Sequence, residues 1–291
     1  MMSSLIAELL KRGPVITDGA WGTQLQALGL PSGACPDHWN LSHPERVEEV
    51  PKAYVEAGSQ IVLTNTFRAN RLAMAAYGLA DKVVQINQAG GTISRRAAGK
   101  RARVFGSIGP SGRMLFAGQT TEEELHGAFI EQAQALADSG VDALVIETMA
   151  DLEEAKLAVA AARNTGLPVV ACAVFDSGKD KDRIMTGRTA EQVAQELTAA
   201  GADVVGANCG QGIASYVAIC RRLRTATDRP IWIKANAGVP RIVGDQVVYE
   251  TSAEQFAEYG PQLVAAGASF IGGCCGTGPD YIGALKQRIG R

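Results

Sequence analysis

The sequence predicts a closed (β/α)8 barrel of eight parallel strands, and three observations predict it. Short apolar runs recur eight times along the 291 residues. Longer stretches with helical spacing lie between them. One junction also repeats, a helix end, a glycine and a buried strand, in EAGSQIVLT, DSGVDALVIE, AAGADVVGA and AAGASFIGG. A repeated βα unit stacks strands in parallel, and eight units favour a closed barrel over an open sheet.

The elements follow in order. MMSSLIAELLKRG (1–13) reads as a short amphipathic helix, because it lacks the basic start and long apolar core of an export signal. The eight runs are VITD (15–18), IVLT (61–64), RVFGSI (103–108), ALVIE (143–147), VVACAVF (169–175), ADVVGA (202–207), IWIKAN (231–236) and SFIGG (269–273). Most are continuous rather than alternating, as strands covered on both faces should be. Helical spacing covers 44–57, 121–139, 151–163, 189–200, 214–225 and 252–266. Gly58, Gly140, Gly166, Gly201 and Gly267 stand just before the next strand, where a left-handed residue ends a helix at least cost. Pro44 after His43 suits a first helical turn. The long irregular stretches 19–42, 106–120, 176–188 and 236–251 all follow strands, where the active-site loops of a barrel belong. No Pro- or Ser-rich linker divides the chain, so 1–291 reads as one domain.

Composition removes several functions. Hydrophobic residues are 46%, enough for a large core. Lys plus Arg is 28 and Asp plus Glu is 30, so nothing calls for nucleic acid or an anionic membrane. No apolar run reaches the ~18 residues of a membrane span. The expected compartment is the cytoplasm, where six cysteines are metal ligands, nucleophiles or small core residues rather than a disulfide framework.

A barrel gathers the C-terminal ends of its strands on one face. Here those ends carry Asp18-Gly19, Thr64-Asn65, Ser107, Glu147-Thr148, Asn208-Cys209, Asn236 and Cys274-Cys275. Cys209, Cys274 and Cys275 therefore meet at one mouth despite their separation in sequence. Three thiolates suit a tetrahedral Zn2+ with one position open, the arrangement of a catalytic rather than a structural site. Zinc held by three thiolates carries net negative charge, so a substrate thiol in the open position would lose its proton yet stay electron-rich. That suits attack on a methyl carbon better than carbonyl polarisation. Adjacent cysteines point apart in a regular strand, and both reach one ion only if the glycines of GGCCGTG let the chain bend. A vicinal redox pair is the rival reading. Cys172 inside a strand and Cys220 on a helix read as core. GSIGPSG fits no nucleotide-binding spacing, and Trp21 and Trp39 read as packing under the first loop.

DGAWGTQLQ (18–26), LTNTF (63–67), GSIGPSG (106–112), IET (146–148), GANCG (206–210), KANAG (234–238) and GGCCGTGP (272–279) together resemble the homocysteine S-methyltransferase family, over nearly the whole chain. The resemblance implies a (β/α)8 barrel, zinc on Cys209, Cys274 and Cys275, and homocysteine as methyl acceptor, giving methionine. It implies that Asp18 and Gly19 cradle the amino-acid end of the acceptor and that Glu147 pairs with its ammonium, Asp18 and Glu147 being the catalytic candidates. Thr64, Asn65, Ser107 and Asn236 complete the expected acceptor site. In the betaine branch, aromatic faces hold a quaternary ammonium. The corresponding positions here are Arg68 and Thr148, with Cys35 on the first loop, so the betaine reading falls. CPDHWNLSHPE and LTNTFRANRLAMAAYGL are closer to the homocysteine module of cobalamin-dependent methionine synthase. The donor is then methylcobalamin carried by a separate corrinoid protein, or a small methylated compound. Two alternatives stay open: demethylation of a catabolic sulfur or ammonium compound onto a thiol, and a non-catalytic zinc- or redox-responsive barrel.

Overall fold

The structure is a computed structural model that describes residues 3–243 and 246–290. The first two residues of the expected N-terminal helix, and 244–245 of the expected loop 236–251, lie outside the described residues. Eight parallel strands form the barrel: β1 (Val15–Ile16), β2 (Ile61–Leu63), β3 (Arg103–Ile108), β4 (Ala143–Met149), β5 (Val169–Ala173), β6 (Val204–Cys209), β7 (Ile231–Ala235) and β10 (Ala268–Gly273). A two-stranded antiparallel hairpin, β8 (Arg241–Val243) and β9 (Gln246–Val248), stands in the loop after β7. All eight barrel strands fall on the runs predicted for them.

Side-chain parity explains the continuous runs. Ile61, Leu63, Phe105, Ala143, Val145, Trp232 and Phe270 pack together inside the barrel. Their strand neighbours Val62, Val104, Leu144, Ile146, Ile231, Ile233 and Ile271 pack outward under the helices. Both faces are apolar because both are buried. Ile6, on the helix Ser4–Leu10, joins the inner cluster, so the expected N-terminal helix lies against the barrel interior.

The ladder runs from β1 through β10, β7, β6, β5, β4 and β3 to β2, and does not pair β1 with β2. Other groups bridge that seam. Gln60 N–H donates to the Ile16 carbonyl at 2.7 Å, and Ile16 N–H donates to the Gln60 side chain at 3.0 Å. Leu63 N–H donates to Asp18 Oδ2 at 2.8 Å.

The helices differ from expectation in several places: Gly22–Ala27, Trp39–Ser42, Arg71–Ala75 and Pro279–Ile289 are helices that the spacing did not predict. Val83–Ala98 is a 16-residue helix where none was predicted. The Gly90-Gly91 pair at its centre lets neighbouring side chains approach the helix backbone. A Cβ on Gly90 would stand 2.6 Å from Thr66 Cγ2, and one on Gly91 only 1.9 Å from Ser139 Oγ. The predicted helix 252–266 is two short ones, Ala253–Ala257 and Gly260–Ala265, with Pro261 starting the second. Among the described residues, no helix is long and apolar enough to cross a membrane.

Candidate metal centre

The three predicted cysteines come together. The sulfurs of Cys209, Cys274 and Cys275 all lie within 4.8 Å of one another, and among the described residues they are the one such group of metal-ligating side chains. Sulfurs on one tetrahedral zinc stand ~3.8 Å apart for Zn–S bonds of ~2.3 Å, so this donor set fits the ion.

Two backbone departures create the cluster. Parity along β6 turns Asn208 inward and would turn Cys209 outward, but Cys209 has a φ of 67°. That left-handed conformation costs a non-glycine residue about 1–3 kcal/mol and here breaks the alternation. Cys274 and Cys275 follow the end of β10 in a tight turn. Thr277 closes it, giving both its N–H (3.1 Å) and its hydroxyl (2.7 Å) to the Cys274 carbonyl. Gly276 takes a φ of 82°, and a Cβ there would meet the Tyr249 ring at 2.3 Å. The flanking glycines thus let the chain bend, as the sequence suggested.

Two asparagines fix the thiols. Asn236 donates to the Gly210 carbonyl at 2.8 Å, has its amide 3.6 Å from Cys209 Sγ, and accepts the Cys275 N–H at 3.0 Å. Asn208 accepts the Thr148 N–H at 2.7 Å and donates to Thr148 Oγ1 at 2.6 Å, with Cys274 Sγ at 3.9 Å. Thr148 also has a positive φ, 62°. Thiols this close share their protons. Hydrogen bonds from Cys274 and Cys275 pull the Cys209 pKa far down, and the same contacts push Cys274 and Cys275 up.

Beside the thiols lies a buried charged cluster. Glu147 continues the inward parity of β4, accepts the Ser107 hydroxyl at 2.5 Å, and has the Asn208 amide at 3.3 Å. Burial raises its pKa, and Lys234 and Ser107 offset part of that rise. Lys234 continues the inward parity of β7 beyond Trp232 and is 2% exposed. Its ammonium is bonded to Asp18 Oδ1. Burial opposes the charge on Lys234, but Asp18 and Glu147 outweigh it and hold its pKa above the ordinary value.

The other predicted acceptor residues are committed to holding loops. The second Asp18 oxygen takes Leu63 N–H and the Trp21 indole N–H at 3.0 Å, so both carboxylate oxygens already have partners. Gly19 packs against the cysteine turn, where a Cβ would stand 2.7 Å from the Thr277 carbonyl. Thr64 shares a 2.6 Å hydroxyl contact with Thr66 and accepts Ser107 N–H at 2.9 Å. Asn65 donates to the Pro36 carbonyl and to Asn40 Oδ1, tying the first loop to the second. Trp39 is buried with His43 stacked on it, and the two rings line a cavity under the first loop together with Cys35 and Arg46.

The family model described as homocysteine S-methyltransferase matches residues 15–289. The chain belongs to the homocysteine S-methyltransferase family. It is 30% identical to a methionine synthase of Mycobacterium leprae over 98% of its own length, and equally to that of Mycobacterium tuberculosis. It spans about a quarter, 25%, of those relatives. Among solved structures it is similar to the metallated form of the homocysteine methyltransferase MmuM from Escherichia coli, with 26% identity and a TM-score of 0.83. That likeness covers 98% of this chain and 100% of the other. The apo form of the same protein gives 26% identity and a TM-score of 0.76.

Against this family background, sequence reasoning placed Asn208 and Thr148 at the mouth without giving either a role, and it missed Lys234. Lys234 had a legible signal: it is a lysine inside the otherwise apolar run IWIKAN, where parity with Trp232 points it into the barrel.

Proposed function

We propose that this protein transfers a methyl group to the thiol of homocysteine, giving methionine, with Cys209, Cys274 and Cys275 holding one zinc ion. The observation that carries the proposal is the pairing of a three-sulfur cluster with a buried carboxylate, Glu147, at the same end of the barrel. Zinc bound to these sulfurs would lower the pKa of an added thiol and keep it as a nucleophile at neutral pH.

The remaining work belongs to the chain. Glu147, oriented by Ser107 and Asn208, binds the acceptor ammonium through a charge-assisted hydrogen bond. Asp18, Gly19, Thr64, Asn65 and Asn236 hold the surrounding loops in register, so the acceptor sulfur points one way. Fixed orientation is worth much of the barrier when two reactants must meet in line. The donor enters from the open face. It is a small methylated compound, or a methylated corrinoid protein docking there, as the methionine synthase likeness suggests. All six cysteines are free thiols, which suits a reducing compartment such as the cytoplasm.

The test is a donor screen. The zinc-loaded protein is incubated with homocysteine and, in turn, S-methylmethionine, betaine and a methylcorrinoid protein, and methionine is measured. One donor should give methionine, and Cys209→Ser should abolish it. Wild-type rates from Cys209→Ser would refute the assignment.

A further inference from the structure

Lys234 holds a buried ammonium with donors to spare. An ammonium has three N–H donors. Among the described residues, Asp18 Oδ1 is its one hydrogen-bond partner and its one ion-pair partner. Its register partner on β6 is Asn208, whose side chain also turns into the barrel. Gly272 is its register partner on β10, and Gly206 on β6 pairs with Trp232 just below. Both glycines are closely packed: a Cβ on Gly272 would stand 2.0 Å from Thr17 Oγ1, and one on Gly206 2.0 Å from the Trp232 carbonyl. Lys234 ends at Asp18, with the Glu147 carboxylate near enough to help hold its proton.

The local charges are Asp18 and Glu147 against Lys234. Asp18 has both oxygens occupied and is fully buried, whereas Glu147 retains acceptor capacity beside Ser107 and Asn208. The cluster presents one carboxylate to receive an ammonium and one ammonium with unpaired donors. An α-amino acid carries the complementary pair on adjacent atoms. Buried N–H donors without acceptors cost free energy that an incoming carboxylate would remove.

We propose that Lys234 reads the carboxylate of the acceptor, as Glu147 reads its ammonium, so that the pocket selects thiols carrying a whole α-amino-acid end. This rests on the homocysteine reading above and adds a specificity-determining residue to it.

Calorimetric titration of the zinc-loaded protein tests it without needing the methyl donor. Three thiols are compared: homocysteine, 3-aminopropane-1-thiol, which lacks the carboxylate, and 4-sulfanylbutanoate, which lacks the ammonium. Wild type should bind homocysteine about 10- to 100-fold tighter than 3-aminopropane-1-thiol, the range of one hydrogen bond to a charged group. In Lys234→Met that preference should vanish, while the preference for homocysteine over 4-sulfanylbutanoate remains. Lys234→Met leaves Asp18 without its counter-charge, so the double variant Asp18→Asn/Lys234→Met is measured as well. It should also bind homocysteine and 3-aminopropane-1-thiol alike. Full carboxylate preference in the double variant would overturn the proposal, because Lys234 would then serve only Asp18. Wild type binding homocysteine with no such preference overturns this proposal alone. Wild type binding no homocysteine overturns it together with the acceptor assignment.

Discussion

The side-chain amide of Asn236 stands 3.6 Å from the sulfur of Cys209, and its carbonyl oxygen accepts the backbone N–H of Cys275. One residue just after β7 thereby spaces thiols delivered by β6 and by the turn after β10. Groups in this position orient metal ligands and typically affect metal affinity about 10- to 100-fold. Asn236→Leu should therefore retain the barrel, seen as unchanged circular dichroism. It should lose zinc to a competing chelator at concentrations about 10- to 100-fold lower than wild type.

The Asp18–Lys234 pair makes a prediction about stability. Both partners are buried and Asp18 also bridges the seam between β1 and β2. Removing one partner of a buried pair leaves an uncompensated charge, at a cost of about 3–5 kcal/mol. Asp18→Asn should lower urea-unfolding stability by roughly that amount. Adding Lys234→Met should restore most of it. Equal stability of Asp18→Asn and wild type would show that the seam and the lysine do not depend on the charge.

Glu147 predicts a pH dependence for acceptor binding. Burial holds its pKa above the ordinary carboxylate value, and only the ionised form pairs with an ammonium. The preference for homocysteine over 4-sulfanylbutanoate should fall as pH is lowered through that raised pKa. Above it the preference should be flat. The ratio cancels the titration of the thiol itself, and Glu147→Gln should make it small and independent of pH.

Asp37 predicts an opposite sign for folding stability. It is buried, accepts the Arg68 N–H at 3.0 Å, and burial raises its pKa from 3.8 to about 6. A folded-state pKa above the unfolded one means that ionisation costs stability. The cost is present above pH 6 and relieved as pH falls toward 3.8. Asp37→Asn should then stabilise the protein at about pH 8 by on the order of 1–3 kcal/mol, a gain that shrinks through pH 6. Thermal melts at several pH values measure this.

The barrel was legible because eight apolar runs are short, separated by helical stretches, and in five cases preceded by a glycine stop. The three thiols were legible because strand ends in a barrel must converge. The helix Val83–Ala98 was not, since a glycine pair looks the same whether it breaks a helix or lets another side chain approach it. Position at a strand end likewise says that a side chain is near the mouth, not where its hydrogen bonds go. Thr64 and Asn65 share that location with Ser107, yet Ser107 turns to Glu147 while they hold neighbouring loops. Lys234 was legible as an inward lysine in an apolar run, but its role depends on the carboxylates that other strands bring to it.

Zinc K-edge X-ray absorption of the purified, reduced protein, without and with homocysteine, tests the three-sulfur site most directly. The proposed function predicts bound zinc with three sulfur neighbours, from Cys209, Cys274 and Cys275, and one further sulfur when homocysteine is added. A protein that retains no zinc, or whose zinc gains no sulfur on adding homocysteine, would contradict the account.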